Sequence, residues 1–205
     1  MADAAARRQL GRIDSEALAL SALVLRVKMR CAAGRGGHAI DLVREALDRP
    51  AASSGPDGAR DAAHLAQLHA LLGFAIWEER HDRAEALRCA WSAIGLHRTQ
   101  WAALWLIREV EAQYSREARH FRFLLTGRGP LPADSPAPGA AFRTRYDVVA
   151  DTLEEAFGYA RRFEPPAVHE SLIVTACKVL DSRPEDPKGV YAIEEYAKSV
   201  NIEGE

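Results

Sequence analysis

Arg116, Arg119 and Arg122 recur every three residues, with Arg108 and His120 nearby in the chain. On a helix that spacing makes a basic stripe, and guanidinium groups so placed hold carboxylates or phosphates through charge-assisted hydrogen bonds. A solvated helix face gives the same pattern with no ligand. Just upstream stand Trp101 and Trp105, one helical turn apart beside Leu104, and Trp77 and Trp91 complete the four tryptophans. An indole inside a bundle is core, whereas one on an open face anchors an apolar group of a partner. Trp101 and Trp105 are the pair expected to be partly exposed. Trp101, Trp105, Arg108, Arg116, Arg119 and Arg122 therefore form the candidate partner-binding set.

Other residue types point away from catalysis. The seven histidines are scattered, and His64 and His69 stand five apart, a poor spacing for one helix face. No H-E-x-x-H or paired-cysteine set occurs, so neither a metal nor any cofactor is expected. There is no G-x-S-x-G, P-loop or G-x-G-x-x-G motif. The glycines of "GRGG" (Gly34–Gly37) join two helical segments and do not follow a strand, which argues against a phosphate cradle. His169, Glu170 and Ser171 are hydrolytic residue types by adjacency only, and neighbours on a strand point to opposite faces. Cys31, Cys89 and Cys177 are odd in number and far apart, which reads as reduced, mostly buried thiols of a cytoplasmic protein.

The net charge of −2 gives no global bias toward nucleic acid or acidic membranes. The charge is uneven: 18 basic and 15 acidic residues precede Gly127, against 9 and 14 from there on. A basic front and an acidic back could attract each other or serve two partners. "ALALSALVL" (Ala17–Leu25) is far shorter than the roughly 20 apolar residues that span a bilayer, and it reads as a helix core. The abundance of alanine and of arginine over lysine suggests a GC-rich bacterial source.

Apolar periodicity supplies the elements that must position these residues. Leu18, Ala22, Leu25 and Met29 recur at steps of four, three and four, one helix face. Further helices are predicted through Ala39–Leu47, Leu65–Ile76, Leu87–Ile94 and Trp101–Val110, and a sixth through Tyr114, Ala118, Phe121 and Leu125. Laid on itself at an offset of 47 residues, the chain matches Leu18 with Leu65, Leu25 with Leu72 and Met29 with Ile76. Ala39, Ile40, Val43, Ala46 and Leu47 meet Ala86, Leu87, Ala90, Ala93 and Ile94. A helix–turn–helix pair is thus used twice.

Over Glu16–Thr126 the pattern resembles tetratricopeptide repeats. The resemblance rests on Leu72-Gly73 in "HALLGFAIWEE", on Ala86, Ala90 and Ala93 in "AEALRCAWSAI", and on Pro50 closing "HAIDLVREALDR". The offset exceeds that family's usual length of about 34, and the loop Ala51–Gly58 supplies much of the excess. The resemblance implies an array of α-hairpins with a concave face that holds a peptide or protein.

"GRGPLPADSPAPGAA" (Gly127–Ala141) cannot continue a helix and reads as a linker. Beyond it, Phe142, Thr144, Tyr146, Val148 and Ala150 alternate with Arg143, Arg145 and Asp147, a strand with one wet face. Asp151 resembles an N-cap with Glu154 as its capping-box partner. Leu153, Phe157 and Ala160 give a helix, Ser171–Leu180 a second strand, and Val190–Val200 a third strand that could be helical from Ile193. The predicted fold is mainly α: a TPR-like α-hairpin array over 1–126, a linker over 127–141 and a small α+β (β-α-β-β) domain over 142–205.

The function expected is a non-catalytic protein-interaction module, an adaptor, scaffold or inhibitor that binds a protein or peptide partner through the array. Nucleic acid and membrane are not expected partners, and a homodimer through the C-terminal sheet is a further option. Two alternatives remain: an enzyme with a site where the two parts meet, and a structural subunit that self-associates through its sheet edge.

Overall fold

The computed structural model describes residues 18–48, 58–128 and 141–196. The chain is a helical array followed by a small α+β unit, and it divides into Met1–Leu96 and His97–Glu205.

The first unit holds α1 (18–32), α2 (Gly36–Asp48), α3 (Gly58–Arg80) and α4 (Arg83–Leu96). Gly34, with φ +65°, makes the turn from α1 to α2. His81, with φ 50°, ends α3, and the Asp82 carboxylate then caps α4 by accepting from the Glu85 N–H at 3.0 Å. α3 packs on both α2 and α4. Its Ala66, Ala70 and Ala75 are buried, as are Ala86, Ala90 and Ala93 of α4, and small residues let helix backbones come close.

Gly36 is required where α2 meets α3. Its N–H donates to Glu79 at 3.0 Å, and a Cβ there would lie 2.6 Å from the Glu79 Cβ. One expectation fails in α1. Val27 is buried, but the apolar stripe of Leu18, Ala22, Leu25 and Met29, expected to be core, is exposed.

The second unit begins with α5 (Trp101–Glu111) and carries a four-stranded antiparallel sheet. Its strands are β1 (Arg119–Arg128), β2 (Ala141–Ala150), β3 (Ile173–Ser182) and β4 (Gly189–Tyr196), in the order β3-β1-β2-β4. Helix α6 (Leu153–Arg161) and a 3₁₀ turn (Pro166–Ser171) lie between β2 and β3. One sheet face buries Phe121, Phe123, Leu125, Tyr146, Val148, Val190 and Ile193, and Phe123 stacks on Tyr146 at 5.8 Å. α5 packs on β4, and α6 on β2 and β4.

Several expectations need correction here. The sixth helix is β1: Phe121, Phe123 and Leu125 alternate with His120, Arg122 and Leu124, and pairing with β2 and β3 selects the period of two. The α+β unit is therefore β-β-α-β-β, with α5 ahead of it. The boundary expected between 126 and 127 falls inside β1, and Gly127, Arg128 and Ala141 are strand residues. The rest of the expected linker, 129–140, lies outside the described residues. Thr152, not Asp151, caps α6: its hydroxyl accepts from the Glu155 N–H at 3.1 Å, and Glu155 accepts from the Asp151 N–H. β4 is a strand through Tyr196, and 197–200 lie outside the described residues.

Candidate functional site

α5 turns two tryptophans to solvent and buries one arginine among its apolar residues. Of its eleven residues only Trp101 and Trp105 are exposed, Trp101 by 68%. They stand at i and i+4, so both indoles lie along one face. Ala103, Leu104, Leu106, Ile107 and Val110 are buried beneath them. Of the other tryptophans, Trp77 is half-buried and meets His81 edge-on at 5.3 Å, and Trp91 is half-buried.

Arg108 faces the other way. It is buried, its guanidinium donates to the Val190 carbonyl, and it lies over the Tyr191 ring at 3.8 Å from the centroid. Burial pulls its pKa down, against the pull of Tyr191 and the nearby acids. Gly189 lets this happen. Its φ is +135°, and a Cβ would lie 3.0 Å from the Arg108 Cγ. Arg108 is thus a clasp between α5 and β4, not a surface group that a partner can reach.

The expected arginine stripe does not exist as a helix face. Arg116 is in a turn and exposed, Arg119 opens β1 and is exposed, and Arg122 lies on the outer face of the sheet. Arg122 donates two hydrogen bonds to Asp147, at 2.8 and 2.7 Å, its cross-strand partner on β2. Burial raises the Asp147 pKa, but the Arg122 bonds and charge, with His120 and Arg145, hold it below the usual carboxylate range. Beside them Arg145 pairs with Glu194, and His120 lies 3.8 Å from Asp147 and 3.6 Å from Asp181. This face is a ladder of opposite charges that answer one another across the strands.

A second polar cluster sits inside the unit. Glu164 and Tyr146 are buried, and the Tyr146 hydroxyl donates to Glu164 Oε1 at 2.8 Å. Arg98, mostly buried, donates to that same carboxylate oxygen and to the tyrosine hydroxyl. Burial pushes the tyrosine hydroxyl well above its ordinary range, with Arg98 opposing. His169 donates from Nε2 to the Glu164 carbonyl at 2.9 Å. Sequence reading missed this triad because its members are 48 and 66 residues from Arg98 and share no spacing motif.

The chain matches no protein-family model, no curated protein and no solved structure.

Among the described residues, no group of three or more His, Cys, Asp or Glu side chains is placed to hold a metal ion. No helix among them is long and apolar enough to cross a membrane. All three cysteines are free: Cys89 is buried, Cys31 half-buried and Cys177 exposed, so they are less buried than expected. Burial raises the pKa of each, with Glu78 and Glu79 adding to the effect at Cys31, so none is tuned toward the thiolate.

Proposed function

We propose that the chain is a non-catalytic protein-interaction module, a cytoplasmic adaptor, scaffold or inhibitor that holds a peptide or protein partner. The observation that carries this reading is α5, a helix whose only exposed residues are two tryptophans one turn apart. Exposing an indole forfeits burial worth about 2 kcal/mol or more. Tryptophans are also enriched among the residues that dominate binding energies. The surface differs from the one expected: α5 belongs to the sheet-bearing unit, and of the six candidates Trp101 and Trp105 carry the proposal.

The test compares the full-length chain with its Trp101→Ala/Trp105→Ala variant as bait in a lysate of the source organism. The reading requires a protein retained by the wild type and lost from the variant, with circular dichroism unchanged. Identical retention by both would refute it.

One observation favours a second reading, self-association through the sheet. β3 is an edge strand exposed along nearly its whole length, with Ile173 and Val179 exposed. Light scattering across a concentration series would show a dimer that Val179→Lys dissolves; a monomer throughout removes this reading.

A further inference from the structure

The exposed stripe of α1 is the feature that the fold leaves unexplained. Leu18, Leu25 and Met29 are 73%, 60% and 62% exposed, and exposed Ala22 lies in line with them. Steps of four, three and four are the a and d spacing of a helix-pairing seam. The opposite side of α1 is also apolar, with Val27 buried and Leu23 and Val24 half-buried. A helix that is apolar on both sides normally lies between two others. The matching positions of α3 show what such a face becomes when covered: Leu72 and Ile76, 47 residues beyond Leu25 and Met29, are buried, and α3 packs on both α2 and α4.

The flanks of the stripe say what covers it. Taking Leu18 and Leu25 as d and Ala22 and Met29 as a puts Arg26 at e and Lys28 at g. Both are exposed, and neither has an ion-pair partner among the described residues. A second copy of this chain brings no carboxylate to these flanks, since the e and g positions of α1 are Ala19, Ser21, Arg26 and Lys28. Residues 1–17 carry three basic and three acidic side chains, and beyond alanine and Met1 only Leu10 and Ile13 are apolar, so they bring neither a net negative charge nor an apolar stripe.

We propose that α1 is the docking face for an amphipathic helix of another protein, with apolar residues at a and d spacing and Asp or Glu at its flanks. The partner helix lies along α1 as one more member of the array, its carboxylates meeting Arg26 and Lys28. α1 belongs to the first unit and the α5 tryptophans to the second, and the two proposals are tested by different substitutions.

Two synthetic 21-residue probes test it on the full-length chain by fluorescence anisotropy. Both carry leucine at a and d; one has glutamate and the other lysine at e and g, so each resists pairing with itself. The glutamate probe should bind at least about tenfold tighter than the lysine probe, with the gap narrowing in 1 M NaCl. Leu25→Asp should weaken the glutamate probe at least about tenfold. Arg26→Glu/Lys28→Glu, a surface change that keeps the fold, should reverse the preference. Equal binding of both probes, or binding of neither, overturns the proposal. So does a dimer that Leu25→Asp converts to monomer, which gives the face to a second copy. Probe binding only after removal of residues 1–17 gives it to that segment and overturns the proposal too.

Discussion

Replacing Arg98 with methionine removes the cation from the triad and keeps most of the side chain's volume. Glu164 then remains as a buried carboxylate with only the Tyr146 hydroxyl at 2.8 Å to stabilise it. Breaking one side of a buried ion pair costs about 3–5 kcal/mol. The surviving tyrosine bond and the partial exposure of Arg98 put this case near the lower figure. Hydrogen exchange of the β2 amides (Ala141–Ala150), corrected for intrinsic rates, reads this unit alone. A loss of about 3 kcal/mol speeds their exchange by about two powers of ten. Adding Glu164→Gln, which still accepts from Tyr146, should restore most of the stability. A deficit below about 1 kcal/mol, or a double variant no more stable than the single one, would refute the reasoning.

Other substitutions probe the rest of the framework. Gly36→Ala drives a methyl to 2.3 Å from the Glu79 Oε2 and 2.6 Å from its Cβ, so thermal unfolding should show a net loss of about 1–3 kcal/mol despite alanine's better helix propensity. Arg108→Met removes the bond to Val190 and the stacking on Tyr191 and should cost about 2–4 kcal/mol, seen as faster exchange in β4. Asp147, held below its unfolded pKa, contributes stability above about pH 4 that is lost as pH falls through the lower folded value. Arg122→Leu should therefore cost about 1 kcal/mol at pH 7, a solvent-screened figure since that guanidinium is 43% exposed, and nearly nothing near pH 2 by urea titration. Trp101→Ala should leave the melting temperature within about 1–2 °C of wild type, because so little of that side chain is buried.

How far the sequence announced this structure depends on whether a signal was local. β2 was legible residue by residue, because alternate positions from Thr144 to Ala150 are buried and nothing else in "FRTRYDVVA" competes. α2 and α4 were legible from Ala39, Ile40 and Val43 and from Ala86, Ala90 and Ala93. β1 was not. Phe121 and Leu125 fit a period of 3.6 and a period of 2 alike, and only the partners on β2 and β3, distant in sequence, decide between them. Reading a helix there placed Arg116, Arg119 and Arg122 on one face, whereas on a strand Arg119 and Arg122 point to opposite sides. The exposure of Trp101 and Trp105 could be suspected from their spacing, but the burial of Arg108 depends on Gly189 and Tyr191, some 80 residues away. In α1 the stripe was found and its side misjudged, since periodicity marks an apolar face without saying what lies against it.

The division after Leu96 bears on how the chain can be dissected. A piece starting at Gly127, where the composition suggests a cut, would lack most of β1, one of the two inner strands of its sheet, and leave β2 and β3 without their shared neighbour. A piece starting at His97 keeps all four strands, α5 and Arg98. The margin is a single residue: clipping two more from that end removes the guanidinium on which Glu164 depends, so a protease nicking the short turn ahead of Trp101 would unseat a glutamate more than sixty residues downstream.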